Sequence, residues 1–318
     1  MASQTPKDTL PISAVFSNLF RNFPRLILTN LIFAVPLGAF FALFWWITVL
    51  FNISEDYAVL VQLLMAIPVF PFYAGVVKIT AKMASHEEKV PVFKTFVGAV
   101  KENFLRFLVH GVVFYAAVVF SYVSLSLYIR LLSQSMLFVG PLVISVIVIL
   151  FFTFMFFYIP SMTVTFDIPM KYIYKNSLLM SYGELKKNFI ALLGLFLLFV
   201  LSTTFLIACY GSPVAVIIVT IILAAVLVPA VASFIINSAV YERMYEMITN
   251  KSARTEEIDI KIKETRTGVK KPDKDEMREA LKNFEIDDSI PDDEYIYFNG
   301  RMMKKSVIVK LKQESEEV

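Results

Sequence analysis

Six apolar runs dominate this chain: Leu26–Phe51, Tyr57–Ile79, Leu105–Ile129, Met136–Ile159, Ile190–Tyr210 and Pro213–Asn237. A hydrocarbon layer about 30 Å thick is crossed by a helix of roughly 20 residues, so each run is long enough to span. Backbone in lipid has no water to bond, which leaves helices as the way to place such runs. The first run is too long for a cleaved secretion signal, and the residues before it lack a basic lead into a short apolar stretch. It is expected to remain as a span.

Short turns join the runs into three hairpins: Asn52–Asp56, Arg130–Ser135 and Tyr210–Ser212. Charge is unequal on the two sides. The turns carry one basic residue, Arg130, opposed by Glu55 and Asp56. The longer connections hold Arg21, Arg25, Lys78, Lys82, Lys89, Lys94, Lys101, Arg106, Lys171, Lys175, Lys186 and Lys187. Basic residues gather on the cytoplasmic side, so both termini are expected there and the turns outside. Cell-membrane, multi-pass localisation follows.

Each longer connection carries an amphipathic stretch that begins near a proline (Pro11, Pro91, Pro169) and ends in Asn-Phe. The pairs are Asn22-Phe23, Asn103-Phe104 and Asn188-Phe189, spaced 81 and 85 residues apart. Proline suits a first helical turn, and Asp8 and Asp167 stand where a capping acid would. The expectation is three interfacial helices with basic faces toward anionic headgroups. Each Asn-Phe would then form an elbow turning into a hairpin. The proline-to-Asn interval is 11, 12 and 19 residues, so the third elbow is expected to protrude or kink.

The expected fold class is all-α and integral to the membrane, with six transmembrane helices as three elbow-helix-plus-hairpin repeats. Residues 1–249 form that body, and residues 250–318 form a polar cytoplasmic tail or mini-domain of mixed α/β character. Residues 1–238 hold 14 basic and 8 acidic groups, and the remainder holds 16 and 19, so the tail is mildly acidic. From Ala239 the character changes: Tyr241–Lys251 continues the sixth helix, and Glu256–Lys263 alternates like a strand. Asp273–Phe284 reads as a short helix. Two strands flank Asn299-Gly300, a strong hairpin signal.

Chemistry is sparse. There is no Walker A motif, no GxGxxG, no HExxH and no CxxC pair. Cys209 is the only cysteine, so no disulfide forms within the chain. His86 sits with Glu87 and Glu88 in a charged loop, where metal contact competes with simple solvation. His110, one turn past Arg106, and Asp167 are the polar residues singled out as functional. No acid or base lies in the middle of a span, which argues against an ion-coupled carrier. Asn30, Gln62, Asn237 and scattered Ser and Thr are left to tie helices together or to line a cavity. Prolines 68, 71, 160 and 229 punctuate the even spans, whose kinks either frame a cavity or merely bend the packing. Asn52-Ile-Ser54 matches a glycosylation sequon.

Gly75, Lys78, Lys82, Glu87, Glu88, Val90–Phe93 and Lys101–Phe104 lie within the stretch Phe72 to Gly111. That stretch resembles the central block of the YesL-like bacterial membrane proteins, a largely uncharacterised family. The resemblance implies a multi-spanning plasma-membrane protein placed near carbohydrate uptake, and it brings no catalytic residues. The polar tail departs from the family's compact form. The function expected is a non-enzymatic accessory, scaffold or regulator, without a cofactor. Its partners would be the bilayer's anionic headgroups and a cytoplasmic protein, not nucleic acid. The alternative is a transporter or lipid-handling protein for a neutral or lipid-like ligand, and a membrane enzyme working through His110 or the His86–Glu88 cluster stands third.

Overall fold

The structure is a computed structural model that describes residues 12–85, 87, 90–267, 281–282, 284, 286, 291, 294–298 and 301–316. The chain divides into two compact units, Met1–Glu246 and Met247–Val318.

The described part of the first unit consists of helices and the turns between them. Its helices are α1 (Ile12–Leu50), α2 (Glu55–Leu63), α3 (Ala66–Ala84), α4 (Val92–Leu132), α5 (Val139–Thr165), α6 (Met170–Gly183), α7 (Leu185–Ala208) and α8 (Pro213–Ile222). A π-helical segment, Leu223–Leu227, leads into α9 (Val228–Thr267), which runs past the end of this unit. Six stretches are long and apolar enough to cross a membrane: Ser17–Leu50, Tyr57–Ala84, Val92–Leu132, Met136–Thr165, Leu185–Ala208 and Pro213–Asn250.

The three predicted turns are present. Asn52 opens the first hairpin turn with φ 45°, a left-handed conformation that asparagine tolerates better than most side chains. Ser135 and Ser212 cap the helical turns that follow them by accepting from Leu137 N–H and Ala215 N–H. The second span is broken at Leu64–Met65, between α2 and α3.

Two of the three elbows do not exist. Asn22-Phe23 and Asn103-Phe104 lie inside the unbroken helices α1 and α4, so the preceding segments run straight on into their spans. The cause is visible in α4. Phe96 packs over Gly75 of α3, and Val92 joins Ile79 and Met83 in the core, so this segment's apolar face is already covered. Only the third site breaks, at Glu184 between α6 and α7.

Buried side chains gather at one end of the unit: Asn18–Phe33 of α1, Val69–Met83 of α3, Val92–Gly111 of α4, Phe154–Val164 of α5 and Ala230–Met244 of α9. Close approach there depends on two glycines. A Cβ on Gly75 would lie 2.4 Å from the Phe96 ring, and one on Gly111 would lie 2.9 Å from the Ile67 carbonyl oxygen. Small residues at helix contacts let backbones meet, which is how spans associate where apolar burial gives little. Toward the other end, α2, α8 and the π segment contain no buried residue among those whose side chains are described, and α7 contains none beyond Ala191.

In the second unit β1 (Tyr295–Phe298) pairs antiparallel with β2 (Arg301–Lys304), and α10 (Lys305–Glu316) follows. Phe298 pairs with Arg301, as the hairpin expected around Asn299-Gly300 requires, and residues 299–300 themselves lie outside the described ones. Leu281, Phe298 and Ile308 form its buried cluster. Two strand expectations fail. Glu256–Lys263 is helical within α9, and 305–312 is the helix α10 rather than the rest of a second strand. The period-2 alternation in 256–263 is short, and it is overridden by propagation of a helix already nucleated upstream. The helix expected at 273–284 lies mostly outside the described residues.

Candidate functional site

The packed end is held by buried polar side chains that bond between helices. Asn237 of α9 donates to Thr80 Oγ1 of α3 at 3.0 Å and accepts from Ser161 Oγ of α5 at 2.6 Å. Ser233 Oγ lies 2.7 Å from Thr80 Oγ1. One asparagine thus ties three spans, as polar groups in lipid commonly do.

The Asn-Phe asparagines are all buried and their phenylalanines all exposed. Each asparagine acts differently. Asn22 donates to the side chain and carbonyl of Asn18 at 2.7 and 3.0 Å, and Asn18 donates to Met83 O at the end of α3 at 3.2 Å. Asn103 donates only to Ala99 O, within its own helix, at 3.1 Å. Asn188 donates to Met180 O and Ser181 O, the freed carbonyls at the end of α6, and accepts from Tyr158.

His110 is fully buried. Its Nδ1 lies 2.8 Å from Tyr174 Oη and its Nε2 lies 2.9 Å from Thr163 Oγ1. The Thr163 hydroxyl donates its hydrogen to Ile159 O at 2.7 Å, so it accepts from the ring. That assigns the neutral Nε2–H tautomer, with Tyr174 donating to Nδ1. Burial pushes the Tyr174 phenol up to about 12, so it remains a donor. The histidine that the sequence singled out is a fastener between α4, α5 and α6, with both nitrogens occupied.

Asp167 does not cap α6. That helix begins at Pro169 with no side-chain cap, and Asp167, 96% exposed, pairs with Arg106 at 2.9 Å instead. Lys78 donates to the Val164 carbonyl near the end of α5, where a cation meets the negative pole of the helix. Of the His86 cluster, Glu87 pairs with Lys82 at 2.9 Å, and His86 and Glu88 lie outside the described residues. Among the described residues no three His, Cys, Asp or Glu side chains converge.

An apolar cleft of about 440 Å³ opens between α1, α3, α4, α5 and α9. Phe33, Val69, Phe114, Phe152, Pro160 and Pro229 are among the residues lining it. Its serine and threonine have their hydroxyl donors already engaged. Ser121 and Thr153 donate to carbonyls of their own helices at 2.7 and 2.9 Å. Two of the four even-span prolines, Pro160 and Pro229, line this cleft, and its walls are almost wholly hydrocarbon.

Sequence reasoning missed Tyr158 and the part played by Asn30. Fully buried Asn30 accepts from Ala230 N–H at 2.8 Å, just past the π segment. A polar residue in an apolar run, opposite a run interrupted by Pro229, was the available signal.

The fold and this site define a multi-spanning helical membrane protein whose buried polar groups fasten helices around an apolar cleft. Residues 26–125 match a family described as "Protein of unknown function, DUF624", over the first three spans, in keeping with the YesL-like resemblance. No curated protein and no solved structure matches the chain.

Proposed function

We propose that this chain is a non-enzymatic accessory, scaffold or regulatory protein of the plasma membrane. In this reading the body consists of three related helix-plus-hairpin units, and both termini are cytoplasmic. The basic stretches face anionic headgroups, and the mixed tail meets a cytoplasmic partner, as in proteins that assist carbohydrate uptake. The observation that supports it is the engagement of the packed end's polar side chains with one another: Asn237, Asn188 and His110 hold helices together. Tail deletion tests it. The full chain is expected to copurify with a discrete partner, and a chain lacking 250–318 is expected to reach the membrane without that partner. The same copurifying set with and without the tail overturns the reading.

The cleft favours a second reading, a lipid-handling protein. The cleft is open and lined almost wholly by apolar side chains. Water gains too few polar partners there, so membrane hydrocarbon is the natural filling. A lipid with a photoreactive acyl tail should label Phe114–Ser121 and Ile149–Phe156. Labelling should fall when Ala117→Phe fills the cleft, and labelling indifferent to that change rejects this reading.

A further inference from the structure

The sixth span consists of two pieces held in unlike ways. From Ala230 onward its inner face is buried, and Ser233 and Asn237 tie it to α3 and α5. Before Pro229, neither α8 nor the π segment buries a single side chain. The junction is irregular for a covalent reason. Pro229 has no N–H, so it removes one rung of the helical ladder, and the segment before it winds with i→i+5 bonds, Val228 N–H reaching Leu223 O.

Ala230 N–H, the next donor, leaves the helix and bonds to Asn30 Oδ1 of α1 at 2.8 Å. Only the oxygen can accept, so the amide orientation is settled, and Asn30 Nδ2 is left buried without a hydrogen-bond partner. Asn237, by contrast, uses both ends of its amide. The tie at Asn30 is therefore the half-satisfied one. At the other root of the hairpin, α7 leaves the packed end after Ala191, and Gly194 is so close to α9 that a Cβ there would fall 2.6 Å from Ile235 Cγ2.

We propose that the α7–α8 hairpin is a movable arm that swings about the π segment and Pro229, with the Asn30–Ala230 hydrogen bond pinning the hinge on its fixed side. The π turn and the proline make the joint, α8 buries no side chain fully, and the partial packing of Leu198 and Leu227 against the core together with the Asn30 hydrogen bond holds the position observed. Pro229, at the hinge, also lines the apolar cleft, so movement of the arm reaches that wall. The inference concerns the arm alone and stands whether or not the cleft takes a ligand.

The chain's single cysteine makes the test direct. Cys209 lies at the tip of the arm, and Leu137→Cys places a second thiol in the α4–α5 turn, at an exposed position. Nitroxide labels on both, in the full chain in lipid nanodiscs, report the separation by pulsed electron resonance. The otherwise wild-type pair is expected to show a main distance and a minor second one. Asn30→Ala is expected to raise the minor population about five-fold, the ratio that loss of one ordinary hydrogen bond implies. Pro229→Ala restores the ladder and should remove the second distance. A single narrow distance that neither substitution changes overturns the proposal. Should Asn30→Ala fail to fold, Pro229→Ala decides: loss of the second distance supports the hinge, and an unchanged distribution rejects it.

Discussion

Tyr158 donates its hydroxyl to Asn188 Oδ1 at 2.7 Å, and through that contact the fourth span fixes the break between α6 and α7. The Asn188 amide closes the break by donating to Met180 O and Ser181 O at 3.1 and 3.0 Å. A helix end leaves its last carbonyls without partners, and in a buried setting a side chain has to supply them.

Asn188→Ala therefore strands the Tyr158 hydroxyl and two carbonyls together, and it should destabilise the fold by about 2–3 kcal/mol. Asn103→Ala loses one bond within its own helix and should cost about 1 kcal/mol or less. Thermal unfolding in detergent micelles ranks the two. Equal losses would mean that the Asn-Phe asparagines share a role.

The glycines give a second contrast. Gly75→Ala drives a Cβ into the Phe96 ring and Gly111→Ala drives one against the Ile67 backbone, so both should lower the unfolding temperature. Nothing lies within 4 Å of a Cβ on Gly98, in the same helix as Gly111. Gly98→Ala should be neutral or stabilising by up to about 1 kcal/mol.

Tyr174→Phe removes the donor to His110 and should cost about 1 kcal/mol at neutral pH. Its phenol is raised in the fold from 10.0 to about 12. A raised value means that the stability it contributes is intact below pH 10 and is lost as pH climbs through 12. Unfolding measured across that window should decline less in the phenylalanine variant than in the wild type.

Arg106→Gln and Asp167→Asn break an ion pair whose acid is almost fully exposed, and each should change stability by less than about 1 kcal/mol. A larger loss in a partner-binding assay, with unfolding unchanged, would give Asp167 a role beyond the fold.

Cys209 reports the topology. With the hairpin turns outside, a membrane-impermeant thiol reagent should label it in intact cells. Labelling only after permeabilisation would reverse the orientation.

Spans and turns were legible in the residues because each is a local property. Twenty apolar residues in succession demand a helix in lipid, and Asn52, Ser135 and Ser212 are turn and cap residues for reasons contained in their own side chains. The Asn-Phe pairs were legible as positions and misread as elbows. Helical periodicity shows that Val92, Phe96 and Phe104 lie along a helix, but not whether the apolar face meets a bilayer or Gly75. The strand reading of 256–263 failed similarly, because alternation over eight residues does not reveal the helix running into it.

The chain's own pattern established a helical membrane body with six spans and short turns, since hydrophobic length and charge placement act residue by residue. Pairing across sequence separations of 30 to 200 residues is another matter: Tyr158 with Asn188, Thr80 with Asn237, Asn30 with Ala230. Those contacts depend on which helix faces come together, and small differences in packing at Gly75 and Gly111 settle that choice. The tie at Asn30 exists only because two distant irregularities, a polar residue in α1 and a proline in the sixth span, are brought to the same depth.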